Sequence, residues 1–364
     1  MNLSIAIIDP SDFKPSISKS FHNRVSAITP ASKEFLESIN VWNKIKRKNG
    51  FEATKVWDQN SHGHLNFHAK DEGIKYLGYI VENDLIQAAL YSAIDQSKVT
   101  LIQASLEELT STDLGYRVEL DNDQLLSCKL LIGADGPLSK VRRLVNIEVK
   151  EHNYYQRAII ANVLSEKPLN QMIYQRFLSD SILAILPLSN YEASIVWSCQ
   201  NPLANKLENL DNDGFNKHLS DASEYQFGSL ELKSLRQFFP LVSRSAKDYV
   251  LDGLALIGDA AHNIHPLAGQ GVNLGFSDVM ELSKQLQDKG SRSLGDFLVL
   301  RKYARARRLD NEIMSKTMTG LDWIYKENNE PFRWLRGYGM NFIDETPMLK
   351  SFFQRQALGK VKKN

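Results

Sequence analysis

Residues Gly258–Leu282, GDAAHNIHPLAGQGVNLGFSDVMEL, restrict the fold more than any other part of the chain. The run Leu254–Ile257 ahead of them is apolar and strand-sized, and the residues from Asn273 onward follow an amphipathic helical pattern. Gly258 lets the backbone turn without a side chain. Asp259 then stands at the carboxyl end of a buried strand, where open α/β sheets bind their ligands, and an acid there suits a ribose or polyol hydroxyl. Pro266 stiffens the turn, while Gly269-Gln270-Gly271 lets backbone approach a flat ligand closely. A helix starting near Asn273 points its positive end at that ligand and favours negative charge there. A strand–turn–helix whose glycines serve packing alone is the plainer alternative. The fixed order of Asp-Ala-Ala-His, His-Pro and Gly-Gln-Gly-Val-Asn-Leu-Gly argues against it.

The rest of the chain places this unit in an α/β protein. Leu3–Asp9 is β-branched and almost continuously apolar, the pattern of a strand buried on both faces of a parallel sheet. Pro30–Ile39 has apolar residues at helical spacing with Thr29 as N-cap, and Glu82–Ile94 is a second helix by the same test. Val99–Ile102 and Lys129–Ile132 are further buried strands. From Tyr154 to Ser198, Arg157–Leu164, Met172–Leu178, Ile182–Leu186 and Glu192–Ser198 alternate with short polar turns, so an antiparallel meander is inserted between two α/β segments. After Leu282 the chain reads as helical and basic.

Composition excludes some classes of function. Across 364 residues, 44 Lys and Arg face 43 Asp and Glu, a net charge of +1 that offers nucleic acid no general attraction. The segment 284–364 is different, with 17 basic and 9 acidic residues. It is either a solvated helical surface or a contact for an anionic membrane or an acidic partner. Two cysteines, Cys128 and Cys199, cannot form a disulfide framework and point to a reducing compartment. No apolar run approaches the ~20 residues of a spanning helix, and the first residues lack a signal-peptide pattern. A cytoplasmic protein is expected, with a peripheral position at the inner face of a membrane as an option. The even spacing of His62, His64 and His68 puts all three on one strand face, but without acids or cysteines nearby this is read as an exposed face, and no metal site is expected.

GDAAHNIHPLAGQGVNLGFSD resembles the second flavin motif of the group A aromatic-ring monooxygenases, which share the para-hydroxybenzoate hydroxylase fold. More narrowly it resembles the ubiquinone-biosynthesis hydroxylase family through His265, Pro266, Ala268, Gly269, Gln270, Gly271, Asn273, Gly275 and Asp278. Leu131–Arg143 (LIGADGPLSKVRR) is similar to the family's Asp-Gly motif, Asn23–Ser32 to its arginine stretch, and Leu77–Asp84 to a segment near the adenosine half. The resemblance implies an α/β fold: an FAD-binding Rossmann-like domain, N-terminally truncated against the family pattern, with an inserted antiparallel substrate domain and a helical C-terminal tail. The expected boundaries are 1–150 for the first flavin segment (with some substrate-domain strands near 51–80), 151–245 for the substrate domain, 246–290 for the second flavin segment and 291–364 for the tail.

The activity implied is FAD-dependent hydroxylation of the aromatic ring of a polyprenylated phenol or quinol in ubiquinone biosynthesis. It would use NAD(P)H and O₂ and proceed through a flavin C4a-hydroperoxide. The same resemblance implies that Gly258, Asp259, Pro266, Gly269, Gln270, Gly271 and Asn273 hold the ribitol and ring. Asp9, Arg24, Asn83 and Asp135 would serve the adenosine and pyrophosphate end. No residue is assigned to the oxygen transfer, and His265 is only a weak candidate for moving a proton. The basic tail would offer contact to a membrane or to a biosynthetic complex. The family's first glycine-rich unit, Gly-x-Gly-x-x-Gly, does not occur in these 364 residues. That leaves two other readings open: a flavin-deficient, non-catalytic subunit of a biosynthetic complex, and another group A hydroxylase or isoprenoid reductase.

Overall fold

The computed structural model describes residues 3–13, 17–59, 63–263 and 271–326, and in the tail 338, 340–346, 348–351, 354, 358 and 359. Its strands form five sheets. The apolar N-terminal run makes β1 (Ile5–Asp9), paired in parallel with β7 (Val99–Gln103). A second parallel pair joins β11 (Leu131–Gly133) to β19 (Leu254–Leu256), which turns back on β18 (Val250–Leu251). Both pairs rest on the antiparallel meander β8 (Leu106–Thr112), β9 (Gly115–Leu120) and β10 (Leu125–Cys128). There Ile8, Ile102 and Leu131 pack around Ala104, Val118 and Leu120.

The expectation that the N-terminal strand is buried on both faces is corrected here. Among the described residues the second edges of β1 and β11 carry no strand. Ile5 is consequently 46 % exposed and Ile132 42 % exposed. Apolar character correctly marked a strand, but burial depends on neighbours that are not found among the described residues.

A small antiparallel sheet, ordered β2 (Val25–Ile28), β6 (Gly78–Glu82), β3 (Asn49–Phe51), carries two helices. The first is α1 (Pro30–Ser38), with Pro30 at its opening position and Thr29 Oγ1 accepting from Ser32 N–H at 3.3 Å. The second is α2 (Asn83–Tyr91), which follows β6 without a break. Ile28, Leu36, Val81 and Leu85 pack with Phe276 of α6 (Gly271–Gln287), so this layer and the glycine-rich turn share one core.

The meander read from the sequence is the centre of a nine-stranded sheet. Its strands are β4 (Ala53–Asp58), β5 (His64–His68), β12 (Val149–Ser165), β13 (Met172–Phe177), β14 (Ser181–Pro187), β15 (Glu192–Gln200), β16 (Leu230–Leu232), β17 (Gln237–Ala246) and β20 (His262–Asn263). The order is β20-β17-β12-β15-β14-β13-β4-β5, with β16 beside β12. One face is covered by α4 (Asn201–Glu208) and α5 (Asn212–Ala222), burying Ile159, Leu183, Ile195, Trp197, Phe215 and Leu219. After β11 comes the short α3 (Lys140–Leu144). The long α7 (Phe297–Lys326) lies along α6 and seats Leu300 and Tyr303 against β18 and β19. No helix among the described residues is long and apolar enough to cross a membrane.

Candidate cofactor-binding site

The strand–turn–helix unit is organised around a carboxylate with no exposed surface. Gly258 turns the chain after β19 with φ +58°, a backbone state that favours glycine. Its N–H donates to Asp278 Oδ2 at 2.9 Å. The same carboxylate accepts from His262 Nε2 at 2.6 Å and from Arg307 Nε at 2.7 Å. Burial pushes the Asp278 carboxyl up, but the hydrogen bonds and charges of His262 and Arg307 outweigh it and hold the group below the usual carboxylate range. Around this anion, Arg307 Nη2 donates to Asn311, Asn311 Nδ2 to the Tyr249 hydroxyl at 3.4 Å, and the Tyr249 ring stacks on His262. Turn, α6 and α7 are thus tied to one charge, and His262 is part of that tie.

Asp259 is in a different state. Burial raises its carboxyl above the usual range, opposed by a hydrogen bond with Asn263 and by the charges of His262 and Arg24. Arg24 immediately precedes β2, its guanidinium over the Phe239 ring, and its carbonyl accepts from Asn83 N–H at 3.0 Å. The Asn83 side chain accepts from Ser26 Oγ at 2.7 Å. The fold therefore joins Asn83 to Arg24 through the backbone, and the charge of Arg24 reaches Asp259 from a distant part of the chain. Glu82 fixes this corner: it is buried, and it accepts from His22 N–H and from Arg47 Nε and Nη2 at 2.8–2.9 Å.

Asn273 sits one turn into α6, buried, with its amide used inside the protein. Oδ1 accepts from Thr29 N–H at 3.1 Å and Nδ2 donates to Ala27 O at 2.8 Å. Its side chain braces the helix start against the β2–α1 corner. Gly271 opens α6, and a Cβ built there would meet no described atom within 4 Å. His265, Pro266, Gly269 and Gln270 lie outside the described residues.

The remaining acids stand at the carboxyl ends of the two parallel pairs. Asp135 follows β11 and accepts from Val141 N–H at 3.0 Å. From the helix that follows, α3, Arg142 turns inward: Nη1 donates to Ala260 O and Nη2 to Pro137 O, both at 2.8 Å, clamping this loop to the Gly258 turn. Burial lowers its guanidinium from the ordinary value, with Asp135 opposing. Gly133 packs closely, since a Cβ there would come within 2.7 Å of a Leu256 methyl and force that side chain to shift. Asp9 ends β1 and accepts from Ser11 N–H at 2.8 Å and from the Tyr91 hydroxyl at 3.4 Å. It therefore lies near the far end of α2 from Asn83, about 12 Å along that helix. Asp9 and Asp135 are not brought into contact with the Arg24–Asp259 group.

This donor set fits a flavin dinucleotide. A part-buried carboxylate short of donors suits a ribityl hydroxyl, and a neighbouring arginine and an open helix start suit phosphate and the ring's anionic edge. Sequence reasoning missed two braces, Arg307 and the Arg47–Glu82 pair. Arg307 had a signal, because it shares the buried stripe of α7 with Leu300 and Tyr303, and a cation on an apolar stripe needs a buried anion.

A sequence profile described as FAD binding domain matches residues 17–309. The chain is 33 % identical over 368 residues to 3-demethoxyubiquinol 3-hydroxylase of Escherichia coli (strain K12), covering 98 % of this chain and 92 % of that protein. It is 34 % identical over 382 residues to mitochondrial ubiquinone biosynthesis monooxygenase COQ6 of Drosophila melanogaster, covering 93 % and 80 %. Among solved structures, p-nitrophenol 4-monooxygenase PnpA from Pseudomonas putida DLL-E4 superposes with a TM-score of 0.77 at 16 % identity, covering 99 % of this chain and 93 % of that one. At that identity it speaks for the fold.

Proposed function

Since the chain belongs to the FAD-binding-domain family, among its ubiquinone-biosynthesis hydroxylases, and is an FAD-dependent monooxygenase, we propose that it hydroxylates the ring of a polyprenylated phenol or quinol, with NAD(P)H as reductant and O₂ as oxygen source. Bound FAD, once reduced, supplies the chemistry that activates O₂. The chain's own residues bind, orient and exclude water. Asp259 takes a ribityl hydroxyl as donor, which satisfies a carboxylate that the protein leaves poorly compensated. Arg24, anchored by Asn83 and by Phe239, faces the pyrophosphate. The start of α6, braced by Asn273, presents backbone N–H groups and its dipole to the ring's pyrimidine edge. Asp135 and Asp9 serve the adenosine side. Residues 151–245, with β4 and β5 added, form the wall over which the substrate ring is held, and 246–290 return the chain to the flavin.

The observation that carries this reading is the half-buried Asp259 on the turn that Asp278 ties to α6, within reach of the charge of Arg24. Its test is a flavin titration of the purified chain followed by its visible spectrum, then turnover of a short-chain prenylphenol with NAD(P)H. Saturable flavin binding that falls at least tenfold in Asp259→Ala supports it. No flavin uptake by this chain, even when it carries an added Gly-x-Gly-x-x-Gly unit ahead of β1, counts against it. The alternative reading is a flavin-deficient subunit. Uptake restored by that added unit would separate the two readings.

A further inference from the structure

Five of the seventeen basic residues of the C-terminal part line one cavity. Lys289, Arg292, Arg301, Lys302 and Arg305, with Leu298 and Val299, line a space of about 320 Å³ between the end of α6 and the first turns of α7. Lys289 shapes the turn, donating to the carbonyls of Gly290 and Arg292, and Arg292 is paired with Asp296 at 3.0 Å. Arg301, Lys302 and Arg305 are exposed and have no ion-pair partner among the described residues. Cations gathered this closely repel one another until an anion joins them.

Helical geometry says which anion. Positions 298, 301, 302, 305 and 309 follow the spacing i, i+3, i+4, i+7 and i+11 and share one face of α7. The opposite face carries the buried Leu300, Tyr303 and Arg307. On the outer face two exposed leucines, Leu298 (49 %) and Leu309 (64 %), bracket the three unpaired cations, and Phe297 (43 %) stands beside them. A dissolved anion would use the cations alone. A bilayer surface uses both: phosphates meet the cations, and the aliphatic and aromatic side chains enter the acyl boundary.

We propose that this cavity is a phosphate-headgroup site and that the outer face of α7 rests on an anionic lipid surface. The inference rests on the reading that the substrate carries a polyprenyl chain and therefore partitions into lipid. It gives that reading a side of the molecule from which such a substrate is reached.

The test is co-sedimentation of the full chain with vesicles of phosphatidylglycerol and phosphatidylcholine, against vesicles of phosphatidylcholine alone. Binding to the anionic vesicles only, weakening with salt, and reduced at least tenfold in Arg301→Glu/Lys302→Glu/Arg305→Glu is expected. A second variant, Leu298→Ser/Leu309→Ser, should lose the binding that persists in high salt. Both variants should keep the parent's thermal midpoint. Equal binding to both vesicle types, undiminished binding by the triple variant, or saturation of the cavity by inorganic phosphate with no vesicle binding would overturn the proposal. So would association that requires another protein. Turnover of a water-soluble short-chain prenylphenol by the parent chain, measured without vesicles, tests the hydroxylase reading separately, so the two failures are distinguishable.

Discussion

Asp278 and Asp259 lie on the same strand–turn–helix unit and have opposite electrostatic states. Asp278 is fully buried and compensated by three donors, so Asp278→Asn leaves His262 and Arg307 without their anion and should cost about 3 kcal/mol in a denaturant titration. The pH dependence follows from its lowered pKa. The unfolded chain binds the proton more readily, so the stabilisation is complete above the unfolded carboxyl value near 3.9 and is lost as pH falls through the folded one. Asp259 has the reverse sign, because its folded value is raised, chiefly by burial. Its neutral form favours the fold below the unfolded value, and that advantage disappears as pH rises through the folded value. Asp259→Asn is accordingly expected to stabilise the ligand-free protein at neutral pH by up to about 1 kcal/mol while weakening flavin binding about tenfold. Thermal melts and a flavin titration of the same preparation check both halves.

At the scale of elements, Arg142 is the piece that joins the Asp135 loop to the Gly258 turn. Lysine keeps the charge but cannot span Ala260 O and Pro137 O with two N–H groups in one plane. Arg142→Lys should cost about 1–2 kcal/mol and speed amide exchange across 258–263, read by hydrogen exchange and mass spectrometry. Elements with a local cause were legible beforehand: α1 from Thr29 and Pro30, β12 to β15 from alternation and turns, α6 from its glycines. The backbone link of Asn83 to Arg24 and the reach of Arg24's charge to Asp259 were not legible from spacing, since no spacing rule relates residues so far apart in the chain. The bracing by Asn273 was not legible, because an amide suits a ligand contact as well as a brace, and only the position of Thr29 and Ala27 shows the bonds it makes within the protein.

Across the whole molecule, stability is unevenly distributed. The nine-stranded sheet buries a continuous core under α4 and α5, whereas β1 has one partner and a short one-sided packing contact. Amides of β1 and β7 should therefore exchange at least about a hundredfold faster than those of β12 and β15. Cys199 supplies an independent reporter. It is fully buried in that core, and burial pushes its thiol up, so it should react with a thiol reagent only on global unfolding, while half-buried Cys128 reacts earlier. The edges of β1 and β11 that carry no strand among the described residues have a practical outcome as well. Each offers amide and carbonyl groups next to an exposed isoleucine, the kind of surface on which strands from neighbouring molecules add. Concentrated preparations should thus aggregate from this seam first, and lysine in place of Ile5 should slow the rise in light scattering.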